Sequence, residues 1–278
     1  MANTRIVPHP SKSIHSCIIM GLTRKSTRLL ELLMLSGLDI IEVAFNTNSL
    51  LYSYSGWSSD RNAARNLKSL SNKGLMNLEN TNSKANWVAK LTESGKRQLF
   101  GKILPEDEWN HVWDGKWRLL SFDLPRDASV ERKQLRKWLQ ARRFGQLQGS
   151  LWVTHRPYDN WTNEIQGEQT DPKKVILLES KTIGEIDNQG LISRTWKFDI
   201  INERYEAYLN FVKNTSPQSG PSSVRWFEEE SVLWNSAYEI DPFLPYSLQP
   251  RKYKGRQAWH ARKEVFKKWA HTLLSPQS

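Results

Sequence analysis

The chain has 278 residues, which is enough for two or three domains. Its 13 tryptophans and its 11% aromatic content exclude a disordered chain, because disordered chains carry few aromatic residues. A net charge of +11, from 40 Lys and Arg against 29 Asp and Glu, favours polyanionic partners but does not choose among nucleic acid, phosphorylated ligands and anionic membrane.

The first third of the chain is predicted to contain three helices, a β-hairpin and a short closing helix. Ser58 and Ser59 are candidate N-cap residues for the third helix, and Gly74 has the position of a C-terminal capping glycine. This order is typical of a winged helix-turn-helix and predicts a DNA-binding domain over residues 20–103. The predicted elements are Arg24–Ser36, a helix within Leu38–Tyr54, Asp60–Lys73, the strands Leu75–Leu78 and Trp87–Leu91, and Thr92–Phe100.

The third helix combines an apolar side with a basic side. Three apolar residues beginning at Ala63 recur at i, i+4 and i+7, and three basic residues beginning at Arg61 recur at the same spacing on another side. A helix that lies in the major groove needs such donors, because Arg and Asn recognise base edges and cations bind phosphates. An ordinary solvated helix surface is the alternative. The predicted DNA contacts are Ser58, Ser59, Arg61, Asn62, Arg65, Asn66, Lys68, Ser69 and, at the hairpin tip, Lys84.

The middle third is predicted to follow a β-α-β-β-α-β order over residues 112–190. This order is that of a ferredoxin-like domain. The predicted elements are the strand Trp117–Pro125, the helix Ser129–Arg143, the strand Leu147–Thr154, the helix Asn160–Ile165, and the strands Lys174–Leu178 and Thr182–Ile186.

The last third, residues 191–278, is predicted to be a helical domain. Its helices are Trp196–Val212, Ser223–Tyr238 and Gly255–Leu274, with a proline-stiffened segment between the last two. Breaks between elements are expected at Lys102–Asp114 and, because of its Ser, Pro and Gly content, at Asn214–Ser223. A softer break is expected at Asp187–Gly190.

Three groups of residues resemble the PaaX family of transcriptional repressors, first described for phenylacetate catabolism. Trp113–Pro125 resembles the family's central signature, and Phe144–Val153 resembles the strand that follows it. Asp241–Pro245, Leu248–Pro250 and Gly255–Ala258 resemble its C-terminal signature. The resemblance implies an α+β fold with an N-terminal winged helix-turn-helix, a central ferredoxin-like domain similar to the CRISPR spacer-acquisition nuclease, and a helical C-terminal domain.

The resemblance also implies a function. Such proteins are homodimers that bind a double-stranded DNA operator and are released by an aryl- or acyl-CoA thioester such as phenylacetyl-CoA. We therefore expect a regulator and not an enzyme, with no cofactor. Family members usually carry more arginine near the positions of Ala64 and Ser69, so the operator should differ. They also usually carry a Tyr-Arg pair before Asp241, where this chain has Trp234–Tyr238, so the effector is open.

Candidate effector-binding residues combine cations with an aromatic ring. Arg and Lys could hold the phosphates of CoA, and a tryptophan could stack on its adenine. Ordinary packing between domains is the alternative. The candidates are Arg118, Arg251, Lys252, Lys254, Arg256 and Trp259.

Asp123 offers an enzymatic alternative. In the CRISPR nuclease fold an aspartate at the end of the first strand is the proposed metal ligand, and Asp123 has that position. A metal-dependent nuclease needs carboxylates to hold Mg²⁺, and Asp127 is the only other one nearby. A structural role at the strand end is therefore favoured. The six histidines lack metal-ligand spacing, so no metal is expected.

The location follows from what the chain lacks. Apolar runs such as Leu29–Leu35 are far shorter than the roughly 20 residues of a spanning helix, so we expect no membrane segment. Ile14–Leu22 contains polar residues and is followed by no small-residue cleavage site, so we expect no signal peptide. The single Cys17 can form no internal disulfide. The cytoplasm is the expected compartment.

Overall fold

The computed structural model describes the chain as two compact units. The first unit comprises Met1–Ile103, Ser216–Phe227 and His260–Ser278, and the second comprises Leu104–Thr215 and Glu228–Trp259. Helices and two antiparallel sheets make up these units, which confirms the predicted α+β class. The described residues are 28–31, 40–44, 59–80, 86–99, 104–125, 127–157, 165, 171–217 and 221–274.

The first unit contains a three-stranded antiparallel sheet with the strand order β1-β3-β2. The predicted hairpin and its flanking helices are confirmed to within two residues. The elements are β1 (Ile40–Ala44), α1 (Asp60–Asn72), β2 (Met76–Asn80), β3 (Asn86–Leu91) and α2 (Glu93–Leu99).

The prediction of a helix within Leu38–Tyr54 is wrong for Ile40–Ala44, which forms β1. This strand contains three β-branched residues, which favour extended backbone, and it pairs with β3 from Ile40–Lys90 to Ala44–Asn86. The partner strand lies about fifty residues away in sequence, so local periodicity did not reveal it. The rest of that predicted helix lies outside the described residues, as does most of Arg24–Ser36, of which residues 28–31 are helical.

The second unit contains a four-stranded antiparallel sheet with the order β5-β6-β4-β7. Counted along the chain, this is the strand order of a ferredoxin-like fold, and α4 follows β4 as that fold requires. Leu120 and Phe122 of β4 pack with Leu135, Trp138 and other residues in a buried core. Ile165, the one described residue of the predicted helix Asn160–Ile165, is helical and belongs to this core. The elements are β4 (Trp117–Phe122), α4 (Ser129–Ala141), β5 (Gly145–Gln148), β6 (Leu151–Thr154) and β7 (Val175–Ser180).

Two strand predictions in this unit need correction. Leu147–Thr154 is not one strand, because the backbone turns at Gly149, whose φ is +47°, and separates β5 from β6. Thr182–Ile186 is a tight turn closed by one bridge between Ile183 and Ile186. Gly184 at φ +60° permits that turn.

Two segments predicted as breaks between elements are short helices. Pro105–Asn110 forms α3, with Pro105 near its start and three acidic residues in the first turn, where they complement the helix dipole. Asn188–Thr195 forms α5, and the Asp187 carboxylate caps it by accepting the Gly190 N–H at 2.7 Å.

The C-terminal part contains three long helices, as predicted. They are α6 (Phe198–Asn214), α7 (Pro221–Tyr238) and α8 (Gly255–Leu274). Among the helices of the described ranges, none has both the length and the apolar composition to cross a membrane.

Candidate functional site

The basic face of α1, formed by Arg61, Arg65 and Lys68, is exposed. On the opposite side Ala63, Leu67 and Leu70 are at most 1% exposed, so burial of the apolar side leaves the basic face in solvent. Ser69 is also exposed. The helix can therefore present guanidinium and ammonium donors to a polyanion without disturbing its own packing.

The start of α1 is held by local hydrogen bonds. The hydroxyl of Ser59 accepts the N–H of Asn62 at 3.4 Å, which confirms Ser59 as the N-cap. The half-buried Asn66 side chain donates to the carbonyl of Asn62 at 2.7 Å. Asn66 is therefore already engaged with its own helix. Ser58 and Lys84 lie outside the described residues.

Thr92 joins α1, the hairpin and α2. Its hydroxyl donates to the Gly74 carbonyl at 2.7 Å and accepts the Gly95 N–H at 3.0 Å. Its backbone N–H donates to the Leu75 carbonyl at 3.1 Å. Gly95 packs so closely against the backbone of Leu75 that a Cβ at position 95 would be 2.2 Å from the Leu75 carbonyl oxygen. These contacts fix the backbone that connects α1 to β2.

A buried carboxylate organises the second unit. Asp241 is 0% exposed and accepts hydrogen bonds from the hydroxyl of Tyr205 at 2.6 Å and from the Phe243 N–H at 2.8 Å. It also accepts from the hydroxyl of Tyr253, which in turn accepts the Trp109 indole N–H at 3.1 Å. Burial raises the pKa of Asp241, and burial together with this carboxylate raises the pKa of both tyrosines. The sequence marked Asp241 only as part of a signature, because the two tyrosines that bind it lie in other segments of the chain.

A second polar cluster lies where α3 meets the end of β6. The Glu108 carboxylate is 3.2 Å from Arg156 Nε and 3.9 Å from His155 Nε2. His155 is 2% exposed, and burial lowers its pKa to about 4. Sequence analysis missed this cluster, since none of its members has a motif that distinguishes it from an ordinary surface residue.

The predicted effector residues fall into different environments. Arg118 is 3% exposed, and its guanidinium donates to Asp114, to Glu179 and to two backbone carbonyls. The Asp114 carboxylate accepts a hydrogen bond from Arg118, and this bond lowers the pKa of Asp114 to about 2. Arg118 therefore fastens the loop before β4 to β7.

The predicted C-terminal cations remain candidates for anion binding. Arg251, Lys252 and Arg256 are exposed, and the Arg256 guanidinium lies 5.0 Å from the ring centre of exposed Tyr246. Lys254 Nζ is 3.6 Å from Glu206. Trp259 is buried, and its ring centre is 5.5 Å from that of Trp234. Trp259 is therefore a core residue.

Asp123 is exposed directly after β4, and its N–H donates to the Lys174 carbonyl at 3.0 Å. Arg132 of α4 donates to the carbonyls of Leu124 and Pro125, both at 2.7 Å. Within the described ranges no group of three or more His, Cys, Asp or Glu residues could hold a metal ion. The nuclease alternative stays a prediction.

Residues 110–192 match the family model described as the PaaX protein central Cas2-like domain. This part of the chain is therefore similar to the central domain of PaaX proteins. This match confirms the resemblance predicted from the sequence, and it covers the PaaX signature around β4 and the whole four-stranded sheet. The PaaX family is known as a family of transcriptional regulators.

One solved structure shares the fold across most of the chain. It is the uncharacterized protein Rv0674 from Mycobacterium tuberculosis, with a TM-score of 0.55 and 16% sequence identity. The similarity covers 88% of this chain and 96% of that one. Among proteins with curated functions, none matches this sequence significantly.

Proposed function

We propose that this PaaX-type protein is a DNA-binding transcriptional regulator and that α1 is its recognition helix in a winged helix-turn-helix. The observation that supports this most is the basic face of α1. Three cations are exposed on the side opposite the buried Ala63, Leu67 and Leu70, on a helix followed directly by a hairpin. A helix that reads the major groove needs this separation, because one side must pack while the other donates to bases and phosphates.

The finer proposal is a cytoplasmic homodimeric repressor that an aryl- or acyl-CoA thioester releases from its operator. Two copies would place two recognition helices on half-sites of a palindrome. An effector that binds one dimer geometry better than another would shift the population away from the DNA-binding form. The proposed contacts for the phosphates of CoA are the exposed Arg251, Lys252 and Arg256, and Tyr246 beside Arg256 is the proposed contact for its adenine.

The experiment that tests DNA recognition compares operator binding by the wild type and Arg65→Ala. The DNA is the intergenic fragment upstream of the protein's own gene, and binding is followed by fluorescence anisotropy. Loss of a bidentate arginine contact to a base should weaken specific binding by about 1–3 kcal/mol, or roughly fivefold to a hundredfold. Arg194→Ala removes the same charge from an exposed position on α5 and should leave the affinity unchanged.

Equal operator affinity in Arg65→Ala and the wild type would contradict the placement of the recognition helix. The effector is tested by adding phenylacetyl-CoA to the preformed complex. Release from the DNA supports the repressor proposal, and Arg256→Ala should then raise the thioester concentration needed for release. If the thioester does not release the protein from the DNA, the result supports DNA recognition but contradicts the proposed effector.

A further inference from the structure

Arg143 and Arg156 bring two half-buried guanidinium groups to one place in the second unit. Arg143 follows the end of α4 and Arg156 follows β6, and Arg156 Nη1 is 3.5 Å from the carbonyl of Arg142. Because Arg142 directly precedes Arg143, this contact brings Arg156 next to Arg143. Burial and, in addition, the charge of Arg143 lower the pKa of Arg156. Two like charges that are partly withdrawn from water favour a compensating negative charge beside them.

The carboxylate at this place does not satisfy both arginines. Glu108 pairs with Arg156 Nε, which leaves one net positive charge over the three side chains. The neighbouring His155 adds none near neutral pH, since burial holds its pKa at about 4. An acceptor for the second guanidinium is therefore missing from the charged side chains of this cluster.

Several buried donors of the cluster also lack hydrogen-bond partners among the described residues. They are Arg143 Nε, Arg156 Nη2 and the ring nitrogens of His155, of which one carries a proton when the ring is neutral. Arg143 otherwise donates to the Glu239 carbonyl, and its guanidinium lies 5.0 Å from the Tyr238 ring centre and 5.3 Å from that of Phe243. Buried donors without partners are rare in proteins, and a bound ion can supply the acceptor that such donors need.

We propose that Arg143 and Arg156 form a binding site for a small oxyanion, a carboxylate or a phosphate. Each guanidinium matches the spacing of two oxygens on such a group, and the oxygens would accept from the donors that now lack partners. The rings of Tyr238 and Phe243 hold Arg143 in place and form an apolar border beside the anion. The proposal concerns anion binding by the second unit and does not depend on DNA recognition.

The test is isothermal titration calorimetry of the full chain with inorganic phosphate and, separately, with benzoate, whose ring suits the aromatic border. Saturable binding at one site per chain is expected for at least one anion. The anion that binds more tightly shows whether the site prefers a phosphate or a carboxylate. Arg143→Gln should weaken binding about tenfold or more, the loss of one charge-assisted hydrogen bond. Arg142→Gln is the matched control, because it removes the same charge from the adjacent residue while its carbonyl still accepts from Arg156.

Two further variants separate anion binding from a structural role. Glu108→Gln should tighten binding severalfold, since it removes the carboxylate that competes for Arg156. Arg156→Lys keeps the charge but loses the paired donors, and should weaken binding even if Arg143→Gln does not fold. Absence of saturable binding of both anions at millimolar concentration overturns the proposal. So does equal affinity in the wild type and in every folded Arg143 or Arg156 variant.

Discussion

Protonation of His155 should destabilise the folded second unit as the pH falls. Burial lowers the pKa of His155 from 6.5 to about 4. The unfolded chain therefore binds a proton more readily than the folded one between these two values, and the stability contributed by the neutral ring is lost as the pH falls through that window. A difference of this size corresponds to about 3 kcal/mol at 1.36 kcal/mol for each pKa unit.

The assay is urea denaturation of the wild type and His155→Gln at pH 7.5 and pH 4, followed by tryptophan fluorescence. Other groups titrate over this range, among them Glu108, whose pKa is lowered, and Asp241, whose pKa burial raises. The quantity to compare is therefore the difference in free energy of unfolding between the two proteins. We expect the wild type to lose about 3 kcal/mol more than the variant on acidification. The same loss in both proteins would show that His155 takes up its proton equally well in the folded state.

Gly95→Ala should lower the melting temperature of the first unit, because its Cβ would meet the Leu75 carbonyl oxygen at 2.2 Å. The overpacking costs about 1–3 kcal/mol, against the gain that alanine normally brings to a helix. Tyr253→Phe should cost about 1–3 kcal/mol in chemical denaturation, since Asp241 loses a donor and the Trp109 N–H loses its acceptor. Operator affinity should fall with salt, and the two cations of the basic face that remain for phosphates beside the base contact of Arg65 should contribute a slope of about −2 per copy in log K against log salt concentration.

Some of this protein could be predicted from local sequence because the cause of each feature is local. The bounds of α8, Gly255–Leu274, follow from periodicity alone and agree with the structure at both ends. The start of α1 follows from the capping chemistry of Ser59. The strand after Gly115 belongs to a signature that lies within the residues matched by the family model.

Two other elements were mispredicted, and for one of them the cause lies far away in the chain. Ile40–Ala44 has no partner nearby, and only the ladder with β3 makes it a strand. A softer break was predicted at Asp187–Gly190, but Asp187 caps a helix that begins at Asn188. Its Trp196 end also lies against Gly145, where a Cβ would be 2.7 Å from the indole ring.

The candidate sites divide in the same way. A basic face opposite an apolar one is a property of a single helix, so the spacing of Arg61, Arg65 and Lys68 could be read directly from the sequence. The environment of a buried polar group cannot be read from the sequence in this way, because burial and hydrogen-bond partners depend on residues brought together by folding. Only the tertiary structure placed Asp241 between two tyrosines, and only there do Arg143 and Arg156 become neighbours. Sequence thus determined which residues could face a polyanion, and folding decided which polar groups water can no longer reach.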